Sequence, residues 1–128
     1  MQITPLRGSG TTILVVDDDA LITLNTADIV TEIGYRALEA FSGAEALSLL
    51  ERNNDIVAMV TDYSMPGMNG VELATAARKL RPGLPVLLTS GHAELPGTID
   101  HDFVRLEKPY REDELTERLK SLLTAPTA

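Results

Sequence analysis

Three acidic residues in a row, Asp17, Asp18 and Asp19, close the apolar run Ile13-Leu14-Val15-Val16, and a fourth, Asp62, closes a second run from Val57 to Thr61. Carboxylates gathered at strand ends suit a metal or phosphate site. If Asp17, Asp18 and Asp62 converge, each like-charge pair at 4 Å repels by about 4 kcal/mol at the effective dielectric of a protein surface. A divalent cation would relieve that repulsion. An all-oxygen donor set with no histidine or cysteine nearby in sequence suits Mg²⁺, which keeps several waters and shares its remaining positions with phosphates. Lys108 adds a point charge and Ser90 a hydroxyl, each at the end of a later strand. Together these residues are equipped for phosphoryl transfer. With a cation and a lysine offsetting the incoming charge, one carboxylate could serve as nucleophile, giving an aspartyl phosphate.

Such convergence requires particular elements. Short apolar runs rich in branched residues and ended by charge read as buried strands of a parallel sheet, whose ligand crevice lies beyond the carboxyl ends of its strands. After the acidic cluster, Leu21, Ile22, Leu24, Ile29 and Ile33 recur at helical spacing up to Gly34, a suitable C-terminal cap. A strand over 35–40 leads to Ser42 and Glu45, the pattern of a capping box, and to a second helix through Leu50. The Asp62 strand, a loop over 64–69, a helix over 70–80 and strands over 84–89 and 103–107 follow. The stripe Leu115, Leu119, Leu122 and Leu123 predicts a last helix. This alternation predicts an α/β fold: a doubly wound, five-stranded parallel sheet with helices on both faces.

Composition narrows the classes further. The chain has 128 residues, 44% of them hydrophobic, with a net charge of -8 and no cysteine. That suits one globular domain over 12–124, a flexible leader over 1–11 and a short tail over 125–128. The acidity argues against a nucleic-acid partner, and disulfides and thiolate metal sites are excluded. No apolar run approaches the roughly 20 residues needed to span a bilayer. The expected location is the cytoplasm.

Four motifs now stand in order: Val15-Val16-Asp17-Asp18-Asp19, Thr61-Asp62-Tyr63-Ser64-Met65-Pro66-Gly67-Met68-Asn69-Gly70, Thr89-Ser90-Gly91 and Glu107-Lys108-Pro109-Tyr110. Across about 12–123 the chain resembles the receiver domains of two-component response regulators, similar to the single-domain chemotaxis regulators. The resemblance implies the flavodoxin-like strand order 2-1-3-4-5, with Asp62 as phosphoacceptor. It also implies Mg²⁺ held by Asp17, Asp18, Asp62 and the backbone carbonyl of Ser64, Asp17 acting mainly through water. Ser90 and Lys108 would bind the phosphoryl group, Ser64 and His92 would modulate its hydrolysis, and the Lys108-Pro109 bond would be cis. The implied partner is a sensor histidine kinase or a histidine phosphotransfer protein, docking on the first helix and the loop after the fifth strand. A homodimer formed on phosphorylation and an unidentified downstream protein target complete the set. With no output domain after the last helix, the expectation is a free-standing receiver or one excised from a hybrid kinase.

Two departures from the family pattern stand out. Arg105 occupies the position where receivers carry an aromatic switch, with Phe103 and Val104 the nearest substitutes. The stretch from Ser90 to Lys108 is short and contains Pro96 and Gly97, so the crossover helix there is expected to be short or partly disordered. Plainer roles compete at single positions. Asp19 could be a helix cap, Thr89 could replace Ser90 as the switch hydroxyl, and His92 could be an ordinary surface residue. Two other functional classes also compete. Asp17-x-Asp19 resembles the nucleophile and acid of a Mg²⁺-dependent phosphatase of the haloacid dehalogenase type, though the later acidic pair is missing. A receiver used only as an unphosphorylated interaction module is the other.

Overall fold

The computed structural model describes residues 12–91, 104–108 and 110–124. The leader, the tail, His92, Phe103, Pro109 with its peptide-bond geometry, and the crossover helix expected to be short lie outside the described residues.

Among the described residues five strands and four helices follow in order: β1 (Thr12–Val16), α1 (Ala20–Glu32), β2 (Arg36–Ala40), α2 (Gly43–Arg52), β3 (Ile56–Asp62), α3 (Gly70–Leu80), β4 (Val86–Ser90), β5 (Val104–Glu107) and α4 (Glu112–Thr124). All strand pairs are parallel, in the order β2-β1-β3-β4-β5. This is the flavodoxin-like order expected from the sequence. The chain leaves β1 for β2 on one side and returns to β3 on the other. The order therefore reverses between β1 and β3, where an open α/β sheet has its crevice.

Side-chain alternation sorts the core into two layers. Leu14 and Val16 of β1 join Met59, Leu50, Leu73 and Ala77 beneath α2 and α3. Ile13 and Val15 face the other way, with Val60, Leu87, Ile29, Val30, Leu115 and Leu119 beneath α1 and α4. Each large side chain withdrawn from water in this way contributes about 2 kcal/mol. Because β1 is covered on both faces, it reads as an unbroken apolar run.

The α1 helix departs from the predicted stripe. Ile29 is buried, but Leu21 and Leu24 stand in solvent, Leu21 77% exposed. The buried face is Thr23, Thr26, Ala27, Ile29 and Val30. Two threonines can occupy it because each finds a polar partner. Thr23 meets the carbonyl oxygens of Asp17 and Asp19, and Thr26 meets the Tyr110 hydroxyl at 2.9 Å. The helix gives way at Ile33 to Gly34, whose φ of 103° turns the chain toward β2.

Caps set the remaining helix starts. Ser42 caps α2 by accepting the Glu45 N–H, as expected, but the Glu45 carboxylate accepts from the N–H of Phe41 rather than from that of Ser42. A full reciprocal box stands instead at α3, between Asn69 and Glu72. Strand β4 begins at Val86 rather than Leu84, because the Leu84 N–H closes a turn onto the Arg81 carbonyl.

Candidate functional site

The carboxyl ends of β1 and β3 lie side by side, Val16 level with Thr61. The next residue on β1 is Asp17, and β3 itself ends at Asp62. Both are buried, at 3% and 5% exposure, while Asp18 is exposed. Ligand oxygens of Asp17, Asp18 and Asp62 lie within 4.8 Å of one another. The three acids named from sequence therefore do converge.

Asp17 is held from several directions. Its N–H donates to the Ala40 carbonyl at 3.2 Å, and one carboxylate oxygen accepts the Asp19 N–H at 2.9 Å. The other accepts the Lys108 ammonium at 3.2 Å. Asp19 has the plainer of its two roles. Its carboxylate caps α1, accepting the N–H groups of Leu21 at 2.9 Å and Ile22 at 3.3 Å. The cap accounts for Asp19 without any acid role of the dehalogenase type.

The loop after Asp62 is fastened at both ends. The Tyr63 N–H donates to Thr89 at 2.7 Å and the Gly70 N–H to Tyr63 at 2.8 Å. Gly70 starts α3 so close to the strand end that a Cβ would lie 2.4 Å from the Asp62 carbonyl oxygen. Only glycine permits this approach. Ser64 is exposed within the loop.

Strands β4 and β5 bring the remaining groups. Asp62 is level with Thr89, and Ser90 with Glu107. Both hydroxyl residues are buried. The Lys108 N–H donates to the Ser90 carbonyl at 2.7 Å, which fixes the lysine just past the edge of the sheet. Its Nζ then lies 3.0 Å from an Asp62 carboxylate oxygen as well as 3.2 Å from Asp17. Burial, the largest single influence, works against the ammonium. The hydrogen bonds and charges of Asp62 and Asp17 together outweigh it and raise Lys108 above the ordinary 10.5. Arg105 is exposed on β5, level with Leu88 and two rungs short of Glu107, and its carbonyl accepts from the Arg118 guanidinium.

Against three carboxylates, one ammonium leaves negative charge in excess at a partly buried point. The donors are all oxygen. That composition and spacing fit a hard divalent cation of the Mg²⁺ class.

Two features escaped the sequence reading. Tyr110 reaches across to Thr26 of α1, and burial raises its hydroxyl above the usual tyrosine value. Beside it lies a groove of about 500 Å³ lined by Leu21, Ile22, Asn25, Lys108 and Tyr110. No short motif signals a contact across 84 positions, although a threonine on the apolar side of α1 was a visible oddity.

The chain belongs to the response regulator receiver domain family, whose model matches residues 13–120. Over 129 aligned residues it is 35% identical to the sensor kinase CckA of Brucella abortus, covering 95% of this chain but only 13% of that kinase's length. It is 33% identical to a chemotaxis protein CheY homolog of Campylobacter jejuni, covering 87% of this chain and 91% of that protein. Among solved structures, a response regulator receiver protein from Sinorhizobium medicae superimposes with a TM-score of 0.81 at 32% identity, covering 91% of this chain and 96% of that one. The fold is thus that of a receiver domain of two-component signalling. Among the described residues no helix is long and apolar enough to cross a membrane.

Proposed function

We propose that the chain is a phosphorylation switch that takes a phosphoryl group from a phosphohistidine onto Asp62. The observation that carries this reading is the Lys108 ammonium shared between Asp62 at 3.0 Å and Asp17 at 3.2 Å, inside the acidic trio. A carboxylate oxygen of Asp62 attacks phosphorus, the phosphorus–nitrogen bond breaks, and the imidazole leaves with its electron pair and takes up a proton. The product is an aspartyl phosphate. Asp17, Asp18, Asp62 and the Ser64 carbonyl would hold Mg²⁺, which when bound offsets the charge of the transferring group.

The other residues act on that group. Lys108 pairs with a phosphoryl oxygen while remaining anchored to Asp17, and Ser90 donates its hydroxyl to another. Ser64, exposed in the loop after Asp62, flanks the phosphoryl group and sets how readily water reaches it. Arg105 in the switch position places no aromatic ring there for Ser90 to couple to. The new charge draws Ser90 and the loop after β3 inward and changes affinity for a downstream protein.

The donor docks over α1 and the loop after β5. Support comes from the exposed Leu21 and Leu24 and from the groove beside Lys108, which place an apolar contact surface next to the acceptor. A sensor histidine kinase or a histidine phosphotransfer protein fits this arrangement, acting in the cytoplasm.

Incubation with Mg²⁺ and a small acyl phosphate, read by intact mass, tests the reading. One phosphoryl adduct is expected on the wild type and none on Asp62→Asn or in excess chelator. An adduct that persists on Asp62→Asn would overturn the assignment. So would a wild type that takes neither a phosphoryl group nor beryllofluoride, and that outcome would favour the unphosphorylated interaction module.

A further inference from the structure

The buried threonines of α1 are not equivalent to the other helical threonines. A threonine inside a helix ordinarily returns its hydroxyl to the carbonyl four residues back, as Thr31 does to Ala27 and Thr75 to Val71. Thr23 makes that contact with Asp19 at 2.9 Å, but its hydroxyl also lies 3.0 Å from the carbonyl oxygen of Asp17, six residues back and outside the helix. It is wholly buried. One hydroxyl hydrogen is therefore held between the two carbonyls that bracket Asp18.

The surrounding bonds show what this hydroxyl completes. Asp17 is fixed through its N–H by Ala40 and through its carboxylate by the Asp19 N–H and Lys108. Asp19 is committed to capping α1. The Asp19 carbonyl already accepts the Thr23 N–H at 3.0 Å, so the Thr23 hydroxyl matters most at the Asp17 carbonyl, which it ties to the first turn of the helix.

We propose that Thr23 is a positioning residue for the cation site: by holding the Asp17 and Asp19 carbonyls it fixes the acidic turn so that the Asp17 and Asp18 carboxylates face one point. This rests on the reading of the trio as a divalent-cation site. Thr23 itself is no ligand. Outer partners that orient ligating groups are worth about tenfold or more in metal affinity. A buried carbonyl deprived of its donor also loosens the turn, because an unmade hydrogen bond carries the full desolvation cost of the group left behind.

The test compares Thr23→Val, which keeps the shape and loses the donor, with Thr23→Ser, which keeps the donor. Thr23→Ala replaces the valine variant if that one does not fold. In chelator, amide hydrogen exchange at Asp19 measured by NMR should quicken about fivefold in Thr23→Val, as expected for one lost hydrogen bond. The Mg²⁺ dissociation constant from isothermal titration calorimetry should rise about tenfold. Both should return to within about twofold of wild type in Thr23→Ser. Wild-type values in Thr23→Val, or a loss that serine does not restore, would overturn the proposal. A wild type that takes up no Mg²⁺ would instead sink the cation reading. The metal-free exchange at Asp19 would then decide whether Thr23 holds the turn.

Discussion

Alanine at Gly70 is expected to destabilise the domain by about 3 kcal/mol, an overpacking cost at the upper end of the usual range. The added Cβ would meet the Asp62 carbonyl oxygen at 2.4 Å, Leu88 Cδ1 at 2.6 Å and Tyr63 Cα at 2.9 Å. Two of these atoms are backbone of the strand end, and Leu88 is fully buried. The helix cannot simply retreat, because the Gly70 N–H is bonded to the Tyr63 carbonyl at 2.8 Å. Retreat would sacrifice that bond, worth about 1 kcal/mol, and a better helix residue returns at most a similar amount. For a domain of this size the midpoint should fall by about 10 °C. Gly43→Ala is the matched control. Its Cβ would also crowd, but its three nearest contacts are all in the Met68 side chain, Sδ at 2.7 Å, Cβ at 3.1 Å and Cγ at 3.2 Å, and the tightest of them, the thioether, can swing aside. Urea unfolding followed by far-ultraviolet circular dichroism measures both variants at equal m-value. A Gly70→Ala loss below about 1 kcal/mol, or one matched by Gly43→Ala, would refute the reasoning, since overpacking against fixed atoms costs at least that much. Folded Gly70→Ala should also accept phosphate poorly, because the strain falls on the backbone of Asp62.

Lys108 gives a pH prediction. Its folded pKa lies above 10.5, so the stability it contributes is complete below 10.5 and is lost as pH rises through the folded value. Unfolding measured across that range should show a steeper alkaline decline in the wild type than in Lys108→Met, and equal declines would refute it. Tyr110, raised chiefly by burial, loses stability in the same alkaline direction. The Thr26–Tyr110 bond gives a double-mutant prediction. Tyr110→Phe strands a buried threonine hydroxyl at a cost of about 1 kcal/mol, and adding Thr26→Val should cost nothing further, because removing both partners leaves no unmet group. A fully additive loss in urea unfolding would contradict this.

The sheet and the acidic trio were legible in the sequence because both rest on local signals. An apolar run ended by aspartate reports a buried strand and its terminus, and strand alternation fixes which ends share an edge. The order 2-1-3-4-5 came from the family resemblance and matches the observed pairing. The face of α1 was not legible. Leucines at helical spacing look like core, and the tertiary partners of Thr23 and Thr26 reversed that preference. The helix cap at Asp19 was among the roles the sequence offered, but nothing in it showed that Arg81 at the end of α3 reaches the carbonyl oxygens of Leu50, Asn53 and Ile56. Such contacts depend on side-chain reach between distant segments.

The bond between Lys108 and Asp17 joins residues 91 positions apart, one beside the central strand and the other just beyond the edge strand. The acids are made early in synthesis and their counter-charge late. A nascent chain that has displayed Asp17, Asp18 and Asp62 but not yet seated β5 holds an acidic pocket with no ammonium in it. The ammonium thus reaches Asp17 and Asp62 only once the last strand has docked, and its two ion pairs record that the whole sheet has closed.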